Sequence, residues 1–394
     1  MNNNYPIIQL AKAKEHSIKR FHPWIFSGAI KKMDDTIKEG DIVKILSSQN
    51  EILGIGHFQS GSIAVRLLSF KEEIIDQKFW EEKILSAYQE RIRIGVSNNK
   101  NLNVYRLIFA EGDYLPGLII DMYNGTAVIQ AHSIGMYNAL HEITNALKNV
   151  LKNNLIAVYD KSKETLPSPF SDSINNRYLY GNAVTNEVNE YGNKFKIDWI
   201  NGQKTGFFID QRENRKLLGE YSKNKKVLNA FCYTGGFSIY ALQGGAKEVH
   251  SVDISEKAIH LTNENVTLNN FSNHKSYAVD VFDFLKNAEN DYDVIVLDPP
   301  AFAKSRKVTH NAIQGYKRIN LMAMKKIKKG GILFTFSCSQ AINRTLFYNT
   351  IISAAIESGR KIRVIHHLSQ PADHPVNIYH PEGEYLKGLV LYIE

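Results

Sequence analysis

Two polar groups in this chain stand at the ends of apolar runs, where a folded protein could use them. One is the Asp298 carboxylate in Val294-Ile295-Val296-Leu297-Asp298-Pro299-Pro300, the other the Cys338 thiol in Gly331-Ile332-Leu333-Phe334-Thr335-Phe336-Ser337-Cys338. Prolines fix their own φ and carry no N–H, so the turn after Asp298 offers carbonyl oxygens and a carboxylate but few donors. Such a turn suits an amine, and the exocyclic amino groups of nucleobases are amines of this kind. The thiol adds a second chemistry. Carbon 5 of a pyrimidine is a poor nucleophile, and addition of a thiolate at carbon 6 turns the ring into an enamine that can attack an electrophilic methyl group. Methylation at an amino nitrogen needs no thiol. Free cysteine is mostly protonated at neutral pH, so Cys338 requires a positive charge, a helix start or a base beside it. Lys304, Arg306 and Lys307 just beyond the prolines, and His374 in Asp373-His374-Pro375, are the candidates. The plain alternatives are a strand ending in a tight turn for Asp298 and a small core residue for Cys338.

Both residues need a sheet to hold them. A short β-branched run such as Val294 to Leu297 reads as a strand buried on both faces, and ligands gather at the carboxyl ends of such strands. From Lys225 onward, strands alternate with helical stretches: Lys226 to Asn229, Glu248 to Val252, Val294 to Leu297 and Gly331 to Phe336. This rhythm predicts a doubly wound α/β sheet. The last two strands, Lys361 to Ile365 and Leu386 to Tyr392, lack a crossover helix between them and are expected to pair antiparallel. Upstream, residues 1–72 alternate short apolar runs with turn residues and predict a small β-barrel. Residues 73–190 open with helical spacing at Phe79, Ile84, Leu85, Tyr88 and Ile92, then give strand runs around Leu107, Ile119 and Val128, an α+β middle domain. A hairpin at Tyr191-Gly192-Asn193 leads into the third part, 191–394.

The same sheet carries a second site. Strand Val227-Leu228-Asn229 runs into Ala230-Phe231-Cys232-Tyr233-Thr234-Gly235-Gly236, where glycine lets a ligand approach the backbone before a helix begins. Asp253 ends the next strand with a carboxylate suited to a ribose diol. Asp280 follows the third and could accept from an adenine amino group, or cap a helix. A nicotinamide enzyme usually shows three spaced glycines and a pyrophosphate cradle, whereas Thr-Gly-Gly followed by a bulky Phe favours S-adenosylmethionine. Cys232 sits within this turn, where a small side chain suffices.

The succession resembles the class I methyltransferases, and specifically the ribosomal RNA large subunit enzymes that methylate cytosine at carbon 5. It rests on Asp298-Pro299-Pro300, Ser337-Cys338-Ser339 and Asn201-Gly202-Gln203-Lys204-Thr205-Gly206-Phe207-Phe208-Ile209-Asp210-Gln211-Arg212-Glu213-Asn214-Arg215. In relatives the last segment closes over the methionine end of the cofactor. The resemblance therefore implies cofactor contacts at Thr205, Phe207, Asp210 and Arg212, alongside Phe231, Tyr233, Thr234, Gly235, Asp253, Asp280 and Asp298. It assigns catalysis to Cys338 and Asp298, and base or RNA contacts to Pro299, Pro300, Lys304, Arg306 and His374. His22-Pro23-Trp24-Ile25-Phe26-Ser27-Gly28 is similar to the PUA module, an RNA-binding barrel. One departure is that Pro300 and Ala301 stand where another branch of RNA 5-methylcytosine enzymes has a cysteine. The base that removes the carbon 5 proton is left unidentified.

The composition agrees with a polyanionic partner, here large-subunit ribosomal RNA, without proving one: net charge is +8 over 394 residues. Lys12, Lys14, Lys19 and Arg20 form an expected basic patch. Lys325 to Lys329 read instead as the usual complement to a helix C-terminus. No apolar segment is long enough to span a bilayer, and there is no leader pattern, so a soluble, cytoplasmic protein is expected. The two cysteines, with no close Cys/His group, predict a reducing compartment and no bound metal. Guanine-N2 methylation and a non-catalytic ribosome-assembly role are the competing readings, and a homodimer is left open.

Overall fold

The computed structural model describes residues 5–302 and 309–394. They divide into two compact units. The first comprises Met1–Val188, Ile197–Phe207 and Ala372–Gly383, and the second Asn189–Lys196, Phe208–Pro371 and Glu384–Glu394. The expected barrel and middle regions thus share one unit, together with two segments from farther along the chain.

The first unit opens with a six-stranded sheet built from short runs between Ile7 and Ser69. Alternate residues Ile8, Leu10, Val43 and Ile45 turn inward and, with Ile25, Val65 and Leu67, form its core. This is the period-two signature of a half-buried sheet. A five-stranded sheet follows, containing Val104–Phe109, Leu118–Tyr123 and Thr126–Ala131, with helices Gln77–Arg93 and Leu140–Leu151. The first of these helices starts where Asp76 accepts the Phe79 N–H at 3.0 Å, an N-cap that satisfies one of the orphan donors of the first turn.

In the second unit a seven-stranded sheet carries β1 (Lys226–Ala230), β2 (Glu248–Asp253), β3 (His274–Ala278), β4 (Tyr292–Leu297), β5 (Ile327–Ser337), β6 (Ile362–Leu368) and β7 (Lys387–Ile393). Their spatial order is β3-β2-β1-β4-β5-β7-β6. The first five are parallel, and β7 runs antiparallel between β5 and β6. This is the doubly wound α/β sheet that the alternating pattern predicts, with the expected antiparallel closing strand. Val294, Ile295, Val296 and Leu297 are all buried, as a strand covered on both faces requires. Around the sheet lie α1 (Arg212–Glu220), α2 (Gly236–Gln243), α3 (Glu256–Leu268), α4 (Val281–Asn287), α5 (Thr309–Lys326) and α6 (Arg344–Ser358).

The lysine run divides between two elements. Lys325 and Lys326 close α5, where cations complement the helix dipole, while Lys328 and Lys329 begin β5. Gly388 makes the β5–β7 contact close: a Cβ there would lie 2.6 Å from the Phe336 ring. That packing fixes the neighbouring residue, Lys387, directly across from Ser337.

Candidate active site

The carboxyl ends of β1, β2, β4 and β5 carry most of the expected residues to one edge of this sheet. After β1 the backbone turns through Phe231 at φ 60°, Tyr233 at φ 46° and Gly235 at φ 79°. Two non-glycine residues in the left-handed region mark a strained turn held by its surroundings. The holding groups come from α3 and β2. Thr262 donates to the Tyr233 carbonyl at 2.9 Å, Asn265 donates to the Thr234 carbonyl at 2.9 Å, and the Tyr233 N–H donates to Asp253 at 3.0 Å. A Cβ at Gly235 would approach Thr262 to 2.8 Å. Asp253 also accepts the Ser255 N–H at 3.0 Å, so its carboxylate is aimed by two backbone donors. The turn and this acid fit the adenosine portion of S-adenosylmethionine: an approachable backbone beside an oriented diol acceptor.

Asp280 follows β3 and caps α4, accepting the N–H groups of Phe282 at 2.8 Å and Asp283 at 3.2 Å through one carboxylate oxygen. Cys232 is buried within the turn, and burial together with the Asp253 charge drives its thiol strongly upward. It is a packing residue.

The Asp298 side of the edge is electrostatically different. Burial first, and then the nearby Asp210 carboxylate, push Asp298 up to about 7, against the stabilising Gln211 amide and Arg215 charge. Two carboxylates sharing a poorly solvated place resist double ionisation. The Gln211 amide is held in the orientation this requires, because Asn214 donates to its oxygen at 2.6 Å and so directs its NH2 group toward Asp298. Arg215 is locked by Glu190 at 2.8 Å and donates to the Phe208 carbonyl at 2.7 Å. Asp210 accepts the Tyr385 hydroxyl at 2.6 Å through one oxygen, while its other oxygen is buried without a partner. An unpaired buried carboxylate oxygen is costly in a finished protein and suits a site that receives a cation or a donor.

Cys338 lies just past β5, beside the β4 end that carries Asp298, since Leu297 pairs with Thr335. Its thiol is pushed up to about 11 by burial and by the charges of Asp298 and Asp210, and pulled down by Lys387. Lys387 is 3% exposed. It donates to the Ser339 carbonyl at 2.7 Å and the Tyr385 carbonyl at 2.6 Å, and burial lowers it to about 8. The positive charge beside the thiol therefore comes from the last strand.

The remaining expected residues divide between the two units. His374, proposed as a base or RNA contact and as an activator of Cys338, belongs to the first unit, where it is buried against Asp373 at 3.1 Å and the Phe109 ring. Thr205 and Phe207 are in the first unit too; the Thr205 hydroxyl meets Asp121 at 2.5 Å and Tyr123 at 2.9 Å. Arg212 is buried at the start of α1, with Glu213 at 3.1 Å. Pro299 is buried and Pro300 exposed after β4. Lys304, Arg306 and Lys307 lie outside the described residues. Sequence reading gave no role to Gln211 and Arg215, although both lie in the 201–215 segment, and missed Thr262, Asn265, Tyr385 and Lys387. Of the last four, Lys387 left a signal, as a charge directly before the closing apolar run, where a buried lysine is unusual.

Comparison with known proteins supplies independent information. A PUA-like domain family matches residues 8–70, and the S-adenosylmethionine-dependent methyltransferase family matches residues 116–381. Ribosomal RNA large subunit methyltransferase I of Tolumonas auensis is 39% identical over 394 residues, covering 98% of each chain. The protein of that name in Vibrio cholerae is 37% identical over 395 residues, covering 97% of this chain and 98% of its own. A solved structure from Streptococcus mutans, described as a SAM-dependent methyltransferase, superposes with a TM-score of 0.83 at 22% identity, over 98% of this chain and 99% of its own. Another, described as a methyltransferase complexed with SAH, gives 0.82 at 23% identity over the same shares. At these identities the solved structures speak for the fold. No helix among the described residues is long and apolar enough to cross a membrane.

Proposed function

This chain belongs to the S-adenosylmethionine-dependent ribosomal RNA large subunit methyltransferase I family, and from that premise we propose that it forms 5-methylcytosine in 23S ribosomal RNA through an adduct between Cys338 and carbon 6 of the base. The observation that carries the proposal is the placement of a thiol and a carboxyl of raised pKa on adjacent parallel strand ends. An amino-nitrogen methyltransferase has use for the carboxyl alone.

Asp298 and the Pro299 carbonyl hold the amino edge of a flipped cytosine, because a paired base cannot reach a sheet edge. A carboxyl that titrates near neutrality can carry one proton from the thiol to ring nitrogen 3. The sulfur–carbon 6 bond then forms as negative charge on the ring is neutralised. S-adenosylmethionine, when bound, supplies the electrophilic methyl group for carbon 5. Lys387 offsets the negative field of Asp298 and Asp210 and favours the thiolate. After a base takes the carbon 5 proton, the sulfur–carbon 6 bond breaks and the proton on ring nitrogen 3 returns through Asp298 to the sulfur, restoring Cys338. Phe231, Tyr233, Thr234, Gly235, Asp253 and Asp280 hold the adenosine part, and Asp210 and Arg212 the methionine end. The exposed Lys12, Lys14, Lys19 and Arg20 of the PUA-like region bind RNA phosphate, together with Lys304 and Arg306.

One observation favours a second reading, guanine-N2 methylation: the thiol stands well above neutrality, as it would if it were idle. Methyl transfer from labelled cofactor to unmodified 23S ribosomal RNA, followed by nucleoside analysis, separates the two. Labelled 5-methylcytosine, and a covalent protein–RNA adduct on 5-fluorocytosine RNA, are expected; labelled N2-methylguanine would sink the cytosine reading.

A further inference from the structure

A second cluster of chemically capable side chains lies in the first unit, among residues with no part in methyl transfer. His22 stands in the turn before strand Trp24–Phe26, and His380 and Glu382 come from the 372–383 segment. One ligand atom from each, two imidazole nitrogens and a carboxylate oxygen, lies within 4.8 Å of the others. The His22 Nε2 is 3.9 Å from Glu382, and the His380 Nε2 is 3.8 Å from it. His380 is only 3% exposed, yet neither of its ring nitrogens has a hydrogen-bond partner. Buried polar atoms in native proteins are almost always satisfied, and an exception calls for a water or an ion.

The surroundings hold the rings as a ligand set needs. The Trp24 ring packs edge-on against His380 at 4.3 Å, and its indole N–H donates to Glu111 at 2.8 Å. Asn377, in the same segment as His380, donates to the Glu111 carbonyl at 3.2 Å. His22 Nδ1 accepts the Trp24 backbone N–H at 3.2 Å, which holds the ring at the start of the strand with Nε2 on the side of Glu382.

We propose that His22, His380 and Glu382 form a zinc site. Two neutral imidazoles and one carboxylate are borderline ligands that suit Zn2+ and not Mg2+, which prefers oxygen alone. Tetrahedral zinc needs its ligand atoms roughly 3.3 Å apart, so the cluster closes by small side-chain rotations. Glu382 is exposed on its outer side and gives the ion a path from solvent, with a fourth position left for water. The site joins residues far apart in sequence, and the bound ion clamps the 372–383 segment onto the turn at His22.

The test uses the full chain after chelator treatment, titrated with Zn2+ by calorimetry and with Co2+ by visible absorption. One Zn2+ per chain and a tetrahedral Co2+ spectrum are expected, with slower hydrogen exchange across residues 372–383 on binding. His380→Ala and Glu382→Gln should each abolish or severely weaken binding. Glu382→Gln removes only an exposed charge, so unfolding cannot explain its effect. Zn2+ binding that is absent, or unchanged in either variant, overturns the site and leaves His380 a water-satisfied residue.

Discussion

The two ends of the carboxyl edge of the seven-stranded sheet use the same residue type in opposite ways. At the end proposed for the cofactor, Asp253 and Asp280 each accept two backbone N–H groups. Such donors fix the direction of the carboxylate. At the other end, Asp298 and Asp210 lie close enough to raise Asp298, and the donors that reach them are side chains, Gln211 and Tyr385. Backbone-tied acids make dependable acceptors for a ribose or an adenine. Crowded acids make a proton carrier. The difference lies in what surrounds each strand end and not in the acids themselves.

Replacing Cys338 with alanine should break the comparison most completely. Methyl transfer is expected to fall on the order of 10^4-fold or more, the scale reached when a covalent nucleophile is removed, while calorimetric binding of S-adenosylmethionine is kept. Retention of substantial 5-methylcytosine formation in Cys338→Ala would overturn the adduct. Asp298→Asn comes next, at roughly 10^2- to 10^4-fold. Asp298 and Cys338 are competent with one proton between them, so kcat/KM for RNA should rise as pH increases through about 7. The asparagine variant should lack that inflection. Stability offers a second check. A carboxyl raised in the folded state binds a proton that the unfolded chain has lost, so its contribution declines as pH rises from about 3.8 to about 7. Asp298→Asn should therefore unfold at higher temperature than the native protein at pH 8, and a lower melting temperature would contradict the burial argument.

The pattern of what sequence made legible follows the same division. The β1-to-β5 rhythm, the antiparallel β7 and the acids at strand ends are local signals, since an apolar run ending in a carboxylate needs no tertiary partner to be recognised. Lys387 and Gln211 act only through register and contact. Lys387 matters because Gly388 lets β7 pack close to Phe336 and sets the lysine across from Ser337. No spacing rule links residue 387 to residue 338. His374 shows the converse: a histidine in a polar, proline-flanked stretch reads as reactive, yet it is buried in the other unit beside Asp373.

Lys387→Met sharpens the electrostatic half of the comparison at a smaller scale. Removing the ammonium leaves the thiol facing two carboxylates, so its pKa should rise further. Alkylation of Cys338 by iodoacetamide, followed by peptide mass spectrometry, should slow by about tenfold at pH 8, the effect of one pKa unit. Its pH profile should move to higher pH. This readout does not depend on which base is methylated, and an unmoved profile would remove Lys387 from the chemistry.

The smallest effect is expected at Asp280, where one carboxylate serves two purposes. Its Oδ1 already accepts both N–H groups that begin α4, so a role toward adenine falls to the other oxygen. Serine can replace the cap but not that second acceptor. Asp280→Ala should cost about 1 kcal/mol of stability, whereas Asp280→Ser should melt near the native temperature. Both should weaken S-adenosylmethionine binding by roughly tenfold, as losing a hydrogen bond to a charged acceptor does. If the serine variant binds cofactor like the native protein, Asp280 is a helix cap alone. The cofactor end then rests on Asp253 and the strained turn at Tyr233.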